Sequence, residues 1–236
     1  MTVHSIQAAI RTHQGYVRKH NQDSLRVDSE LGVMVLADGM GGHRSGEVAS
    51  RVAVEAALAD LLPTQREDAA DGMESLLRVG HSVEVANQAL LDMCEVHPEL
   101  KGMGTTLVLA IFREGRIYHA HIGDSRLYRV RYGRLRRLTR DHSLIQRMID
   151  DGVFVNRSEA REAGVKDPAL DLAIKRSERL LRFYIRKGAV PYGDHHPWIQ
   201  THEDNGKCGM ASVMFNLLDN AEGAEFFSRM SVASHG

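Results

Sequence analysis

Cysteine is scarce in this chain: only Cys94 and Cys208 carry a thiol among 236 residues. Two thiols so far apart build neither a disulfide framework nor a zinc knuckle. No sign of charge is in surplus, with 30 Lys and Arg against 31 Asp and Glu. Bulk charge therefore gives no ground for expecting nucleic acid or a membrane surface as partner. No apolar run approaches the roughly 20 residues needed to span a bilayer. Residues 1–11 lack the apolar centre of a signal peptide, so the expected compartment is the cytoplasm. Internal repeats and low-complexity tracts are also missing. What is present is ordinary for a folded soluble chain, at 43% hydrophobic and 26% charged residues, and the length suits one domain or one domain with a small addition.

The hydrophobic period changes along the chain. Residues 5–11 alternate around Ile6, Ala8 and Ile10, and Leu25 and Val27 share a face of a second short strand. Residues 31–37 form a continuous apolar run, the pattern of a buried strand. That run enters the glycine-rich loop Asp38-Gly39-Met40-Gly41-Gly42. Helical spacing follows over 45–62, with Ser45 as its cap and Pro63 as its stop, and again over 73–95. The period then returns to two, with a hairpin over 105–122 turning at Glu114-Gly115 and another over 127–138 turning at Tyr132-Gly133. A short helix is expected over 143–151. Strands, then helices, then hairpins argue an α+β fold with a mainly antiparallel sheet.

Three acids stand where strands end. Asp38 leaves the buried run into the glycine loop, where its carboxylate can bridge hard cations and the Gly39 carbonyl can add an oxygen. Taken alone, the loop reads as a strand-to-helix turn with Asp38 as a cap. Asp23 starts the second strand and follows Arg18, whose planar fork suits two phosphate oxygens, although a lone surface arginine is the plainer reading. Asp124 follows Gly123 at the end of an apolar strand, where a simple turn is the default. Met103-Gly104-Thr105-Thr106 and Thr139-Arg140-Asp141-His142-Ser143 complete the set. Eight arginines lie between Arg126 and Arg147, and alternation along hairpin strands makes most of them a solvated face, with docking of an acidic or phosphorylated partner as the other reading.

In order and spacing these five segments resemble the PP2C (PPM) family of metal-dependent serine/threonine protein phosphatases, bacterial members especially. The likeness runs over residues 1–166. It implies a PP2C-like β-sandwich flanked by helices and a reaction in which water attacks phosphoserine or phosphothreonine of a phosphorylated protein substrate. It also implies Mn²⁺ or Mg²⁺ as cofactors. By the same resemblance Asp38 bridges two ions, Gly39 binds one through its carbonyl, Asp23 ligates one directly or through water, Asp124 belongs to a third site, and Arg18 holds the substrate phosphate.

The family continues with a Ser-Asp-Gly at a strand end and a final Asp-Asn, both supplying metal ligands. Neither appears here. Asp204-Asn205 is followed by Gly206-Lys207-Cys208-Gly209-Met210 and not by a strand. The expectation is an incomplete sandwich over 1–166 with open sheet edges, joined near Val165 to a helical tail of different origin over 167–236. Helices are expected over 170–185, 210–218 and 221–230, an arrangement that weakly resembles an α/α-toroid repeat. Loss of two acids leaves the second ion short of ligands, so the chain is either an impaired phosphatase or a non-catalytic module that binds phosphoproteins. His195, His196 and His202 offer an alternative metal site in the tail.

Overall fold

The structure, a computed structural model, describes residues 5–14, 19–41, 45–65, 72–113, 115–132, 134–165, 196–200 and 210–218. Among these described residues, ten strands and four α-helices follow in order. They are β1 (Ser5–His13), β2 (Asp23–Asp28), β3 (Val33–Met40), α1 (Ser45–Gln65), α2 (Gly72–Val96), β4 (Gly104–Thr105), β5 (Leu107–Arg113), β6 (Arg116–Ile122), β7 (Arg126–Arg131), β8 (Arg134–Arg137), α3 (Leu144–Asp150), α4 (Arg157–Glu162), β9 (His196–Gln200) and β10 (Met210–Leu218).

Two antiparallel sheets form. One runs β2-β3-β5-β6, with β4 paired to the end of β3, and the other runs β1-β10-β9-β7-β8. Strands β3 and β5 are central in the first sheet and covered on both faces, which explains their uninterrupted apolar runs. On one face Val33, Val35, Ala37, Leu107, Leu109 and Ile111 pack against Ala53, Val54, Ala57 and Leu61 of α1 and Val79 and Ala86 of α2. On the other face Met34, Leu36, Val108 and Ala110 meet Leu25 and Leu127 between the sheets. Each large side chain fully buried here contributes about 1.5–3 kcal/mol. Helix α1 continues to Gln65, past Pro63, which the sequence reading takes as its stop. A proline so near the helix end removes at most one internal hydrogen bond.

The α+β sandwich flanked by helices is present, with α3 and α4 following the last hairpin. The tail differs from expectation in its described part. Met210–Leu218 is a strand, not a helix, and it pairs with β1 in unbroken register from Ser5↔Leu218 to His13↔Met210. Strand β9 lies between β10 and β7. Open sheet edges are expected from the sequence, but segments from beyond residue 166 pair with β1 and β7. The sequence pattern misleads because Met210, Val213, Met214, Leu217 and Leu218 recur at helical spacing. An unpaired neighbouring edge overrides that local preference. The helices expected over 170–185 and 221–230 lie outside the described residues.

Candidate metal-binding site

Backbone register brings the acids together. In β2 and β3, Asp23 stands directly opposite Asp38. Side chains alternate along a strand, so Asp23 shares a face with Leu25, and Asp38 with Leu36. That face is the one packed between the sheets, so both carboxylates sit at one end of the interlayer space. The neighbouring pair, Gly39 and Gln22, is joined by a hydrogen bond from the Gly39 amide to the Gln22 carbonyl at 3.0 Å. Antiparallel pairs alternate in kind, so Asp23 and Asp38 form the closer, non-hydrogen-bonded kind, with Cα atoms about 4.5 Å apart.

The same row continues across the sheet. The Asp38 amide donates to Thr106 Oγ1 at 3.0 Å, and the Thr106 amide returns a bond to the Asp38 carbonyl at 2.8 Å. Beyond Thr106 comes Gly123, where a Cβ would lie 2.7 Å from the threonine methyl. Asp23, Asp38, Thr106 and Gly123 thus form one line over the ends of β2, β3, β5 and β6. Thr106 Oγ1 also lies 2.7 Å from Ser125 Oγ. At the other end of the row, Asn21 Oδ1 accepts from the Asp23 amide at 3.1 Å, and Asn21 Nδ2 donates to Thr12 Oγ1 at 2.7 Å.

Glycine is required at the mouth of the site. A Cβ on Gly39 would fall 1.8 Å from the Gly46 carbonyl oxygen, so the end of β3 and the first turn of α1 touch backbone to backbone. Gly123, at φ +92, packs under the segment 139–143. Its carbonyl accepts from the His142 amide at 2.9 Å and its amide donates to His142 Nδ1 at 3.3 Å. His121 Nε2 lies 2.6 Å from the Arg140 carbonyl oxygen and 3.3 Å from the Arg140 amide nitrogen. The two imidazoles lie 4.8 Å apart. This clip holds the turn that bears Asp124. Burial is the main cause that lowers the His121 imidazole below its ordinary value, and the Arg140 carbonyl opposes it.

Beneath the clip lies an ion-pair lock. Arg126 Nε donates to Asp141 Oδ1 at 2.7 Å, its Nη2 donates to Oδ2, and its Nη1 donates to the Tyr128 hydroxyl at 3.1 Å. Arg157 adds a bond to Asp141 Oδ2 at 2.7 Å, and Arg137 approaches Oδ1 at 3.4 Å. Arg126 is 1% exposed and Asp141 2%. Burial alone would raise the Asp141 carboxyl, but the Arg126 hydrogen bonds and the three guanidinium charges outweigh it and hold the carboxyl below its usual value. Burial likewise works against the Arg126 cation, and the bonds to Asp141 overcome it. Arg126 is therefore no part of the solvated face expected of most arginines in that stretch. Sequence reasoning missed this lock, the threonine anchor and the histidine clip. Their signal was available, since Thr106, Asp141 and His142 belong to the quoted segments and Arg126 opens the arginine-rich stretch.

Two directly opposed carboxylates repel each other. Asp38 is 8% exposed, and both Asp23 oxygens are shut off from solvent. A pair of hard oxygen donors in this setting, beside the Gly39 backbone, fits a divalent cation such as Mn²⁺ or Mg²⁺. Among the described residues, however, no three or more Asp, Glu, His or Cys side chains gather as a metal site. Arg18, His195 and His202 lie outside the described residues, as does Asp204.

Comparison with known sequences decides the lineage, for the family profile described as protein phosphatase 2C matches residues 12–163. The chain belongs to the protein phosphatase 2C family. A second profile, a domain of unknown function (DUF6288), matches residues 156–236. Among curated relatives, the serine/threonine protein phosphatase PstP of Mycobacterium tuberculosis is 40% identical over 147 residues, covering 62% of this chain and 27% of PstP. The serine/threonine phosphatase stp of Listeria welshimeri is 37% identical over 150 residues, covering 62% of this chain and 59% of the relative. The chain thus spans less than two thirds of the length of these relatives. Among solved structures, the catalytic domain of PstP in complex with two manganese ions superposes with a TM-score of 0.64 at 23% identity, covering 91% of this chain and 99% of that one. The 2C-family sequence likeness stops near residue 163, whereas the fold likeness continues into the tail.

Proposed function

We propose that this 2C-family chain acts on phosphoserine and phosphothreonine in proteins, with divalent cations held at Asp23 and Asp38. The observation that carries the reading is the register that sets those two carboxylates face to face at the end of the interlayer space. Bound there, such ions would supply positive charge for a phosphate ester and lower the pKa of a bound water. The chain's own residues hold the geometry. Thr106 fixes the backbone of Asp38, Asn21 fixes that of Asp23, and Gly39 keeps the mouth of the site narrow. Arg18 would take two phosphate oxygens through its fork of donors, and Asp124 would serve a further, weaker ion. No cysteine or serine nucleophile is needed.

Impairment follows from the short donor set. Two divalent ions carry four positive charges, and the carboxylates in register number two. A second reading, a phosphoprotein-binding module, is favoured by the lack of a three-donor cluster among the described residues. Manganese titration by calorimetry separates the two, combined with manganese-dependent hydrolysis of p-nitrophenyl phosphate. Hydrolysis that disappears in Asp38→Ala supports the enzyme. Absence of hydrolysis in saturating manganese, with one ion or none bound, supports the module.

We further propose that residues 167–236 have a different origin from the front domain and stand in place of the family's own final segment. Replacing them with the equivalent segment of PstP should raise manganese affinity, and an unchanged affinity would count against this. A cytoplasmic location accompanies these proposals, and cell fractionation would check it.

A further inference from the structure

The hairpin of β7 and β8 carries its arginines in two opposite situations. Arg126 and Arg137 reach Asp141, and Arg140 reaches Asp150. Arg129, Arg131, Arg134 and Arg136 make no ion pair with any described carboxylate. Register places Arg129 opposite Arg136 and Arg131 opposite Arg134, so all four occupy one face in two successive rows. That face continues from Leu127 and Leu138, where the strands leave the core. On the far side of β7, the residue opposite Arg129 is Pro197, so no acid comes from that neighbour either. Like charges directly opposed across strands are destabilising. Arg129 Nε and Arg131 Nε are moreover shut off from water without a hydrogen-bond partner, although Arg131 does lie over the Tyr132 ring at 5.2 Å.

We propose that this four-arginine face is a docking site for an extended, Asp- and Glu-rich segment of a partner protein. Three observations favour that occupant. All four cations are guanidiniums, whose flat forks match carboxylates two bonds at a time. Strand β8 ends its sheet among the described residues, so an extended segment can add along its open edge. The rows recur every two residues, the period at which an extended chain presents side chains to one side. The face lies at the end of β7 remote from Ser125 and Thr106, about 17 Å along a strand of this length. A segment docked there leaves the carboxylate pair clear, and the inference stands whether or not that pair is catalytic.

The test uses the full chain and a fluorescein-labelled peptide of alternating Asp and Ser, read by anisotropy at low salt. Parallel arms carry the Lys-for-Asp peptide, a single-stranded DNA of similar length and phosphatidylserine vesicles. Saturable binding of the acidic peptide, weakened about tenfold by the double variant Arg134→Glu/Arg136→Glu and weakened by salt, is the expected result. Both side chains are exposed, and a matching circular dichroism spectrum certifies the fold. Should the charge-reversed protein misfold, Arg134→Ala/Arg136→Ala decides in the same assay. Absence of peptide binding, equal binding by the folded variant, or tighter binding of DNA or vesicles would overturn the proposal.

Discussion

Asp141→Asn isolates the role of a buried charge. Wild-type Asp141 receives two bonds from Arg126 and one each from Arg137 and Arg157. Arg137 and Arg157 retain partial exposure, with side chains 32% and 19% accessible, and can turn toward water when the carboxylate is neutralised. Arg126, 1% exposed, has no such route and cannot shed its proton. Breaking one partner of a buried pair costs about 3–5 kcal/mol, because the other charge is left uncompensated. At about 2–4 °C per kcal/mol for a chain of this size, the thermal midpoint should fall by roughly 6–20 °C. The double variant Arg126→Met/Asp141→Leu removes both charges and should recover most of the loss. Thermal unfolding monitored by circular dichroism gives the midpoints, and urea unfolding gives the free energies. The sign of the pH dependence follows from the lowered Asp141 carboxyl. The folded state holds the anion more tightly than the unfolded state does, so the contribution is full above 3.8 and is lost as pH falls through the folded value. A loss below about 1 kcal/mol in Asp141→Asn, or a double variant as unstable as the single, would refute the reasoning.

Other consequences are open to measurement. Asp23→Asn should raise the stability of the metal-free protein slightly, by about 0.2–1 kcal/mol, by relieving the opposed charges, and should abolish any rise in thermal midpoint on adding Mn²⁺; a variant that still responds to manganese removes Asp23 from the site. Gly39→Ala should cost about 3 kcal/mol or more, since its Cβ meets the Gly46 carbonyl at 1.8 Å and both sides of that contact are backbone; wild-type stability would show that β3 and α1 do not touch as described. Burial lowers both His119 and His121, with the charge of His121 adding to the effect on His119. The fold favours their neutral forms, so their contribution is intact above 6.5 and is lost as pH falls below it toward the lowered folded values. Thermal midpoints measured from about pH 8 to about pH 5 should therefore decline on acidification, and less so in His119→Gln/His121→Gln; identical profiles would place the effect elsewhere.

Local signals made much of the front domain legible in one dimension. The apolar run 31–37 ending at Asp38, the two helical stretches and the hairpin turns each report a preference that the fold keeps. The acids, glycines and threonines were legible as types of chemistry because each stands at the end of a strand. Their mutual placement was not. That Asp23 faces Asp38, that Thr106 clamps the same row and that His142 holds Gly123 are consequences of register between strands far apart in sequence. Two features lay beyond the sequence pattern for the same reason. Arg126 carries the sequence signature of a surface residue, and only the carboxylate fifteen positions away makes its burial tolerable. Met210–Leu218 carries the spacing of a helix, and only the unpaired edge of β1 makes it a strand. Sequence determined which groups can donate, coordinate or turn the chain, because those are properties of single residues and near neighbours. Tertiary structure decided which of them meet, because pairing and burial depend on partners that no local window contains.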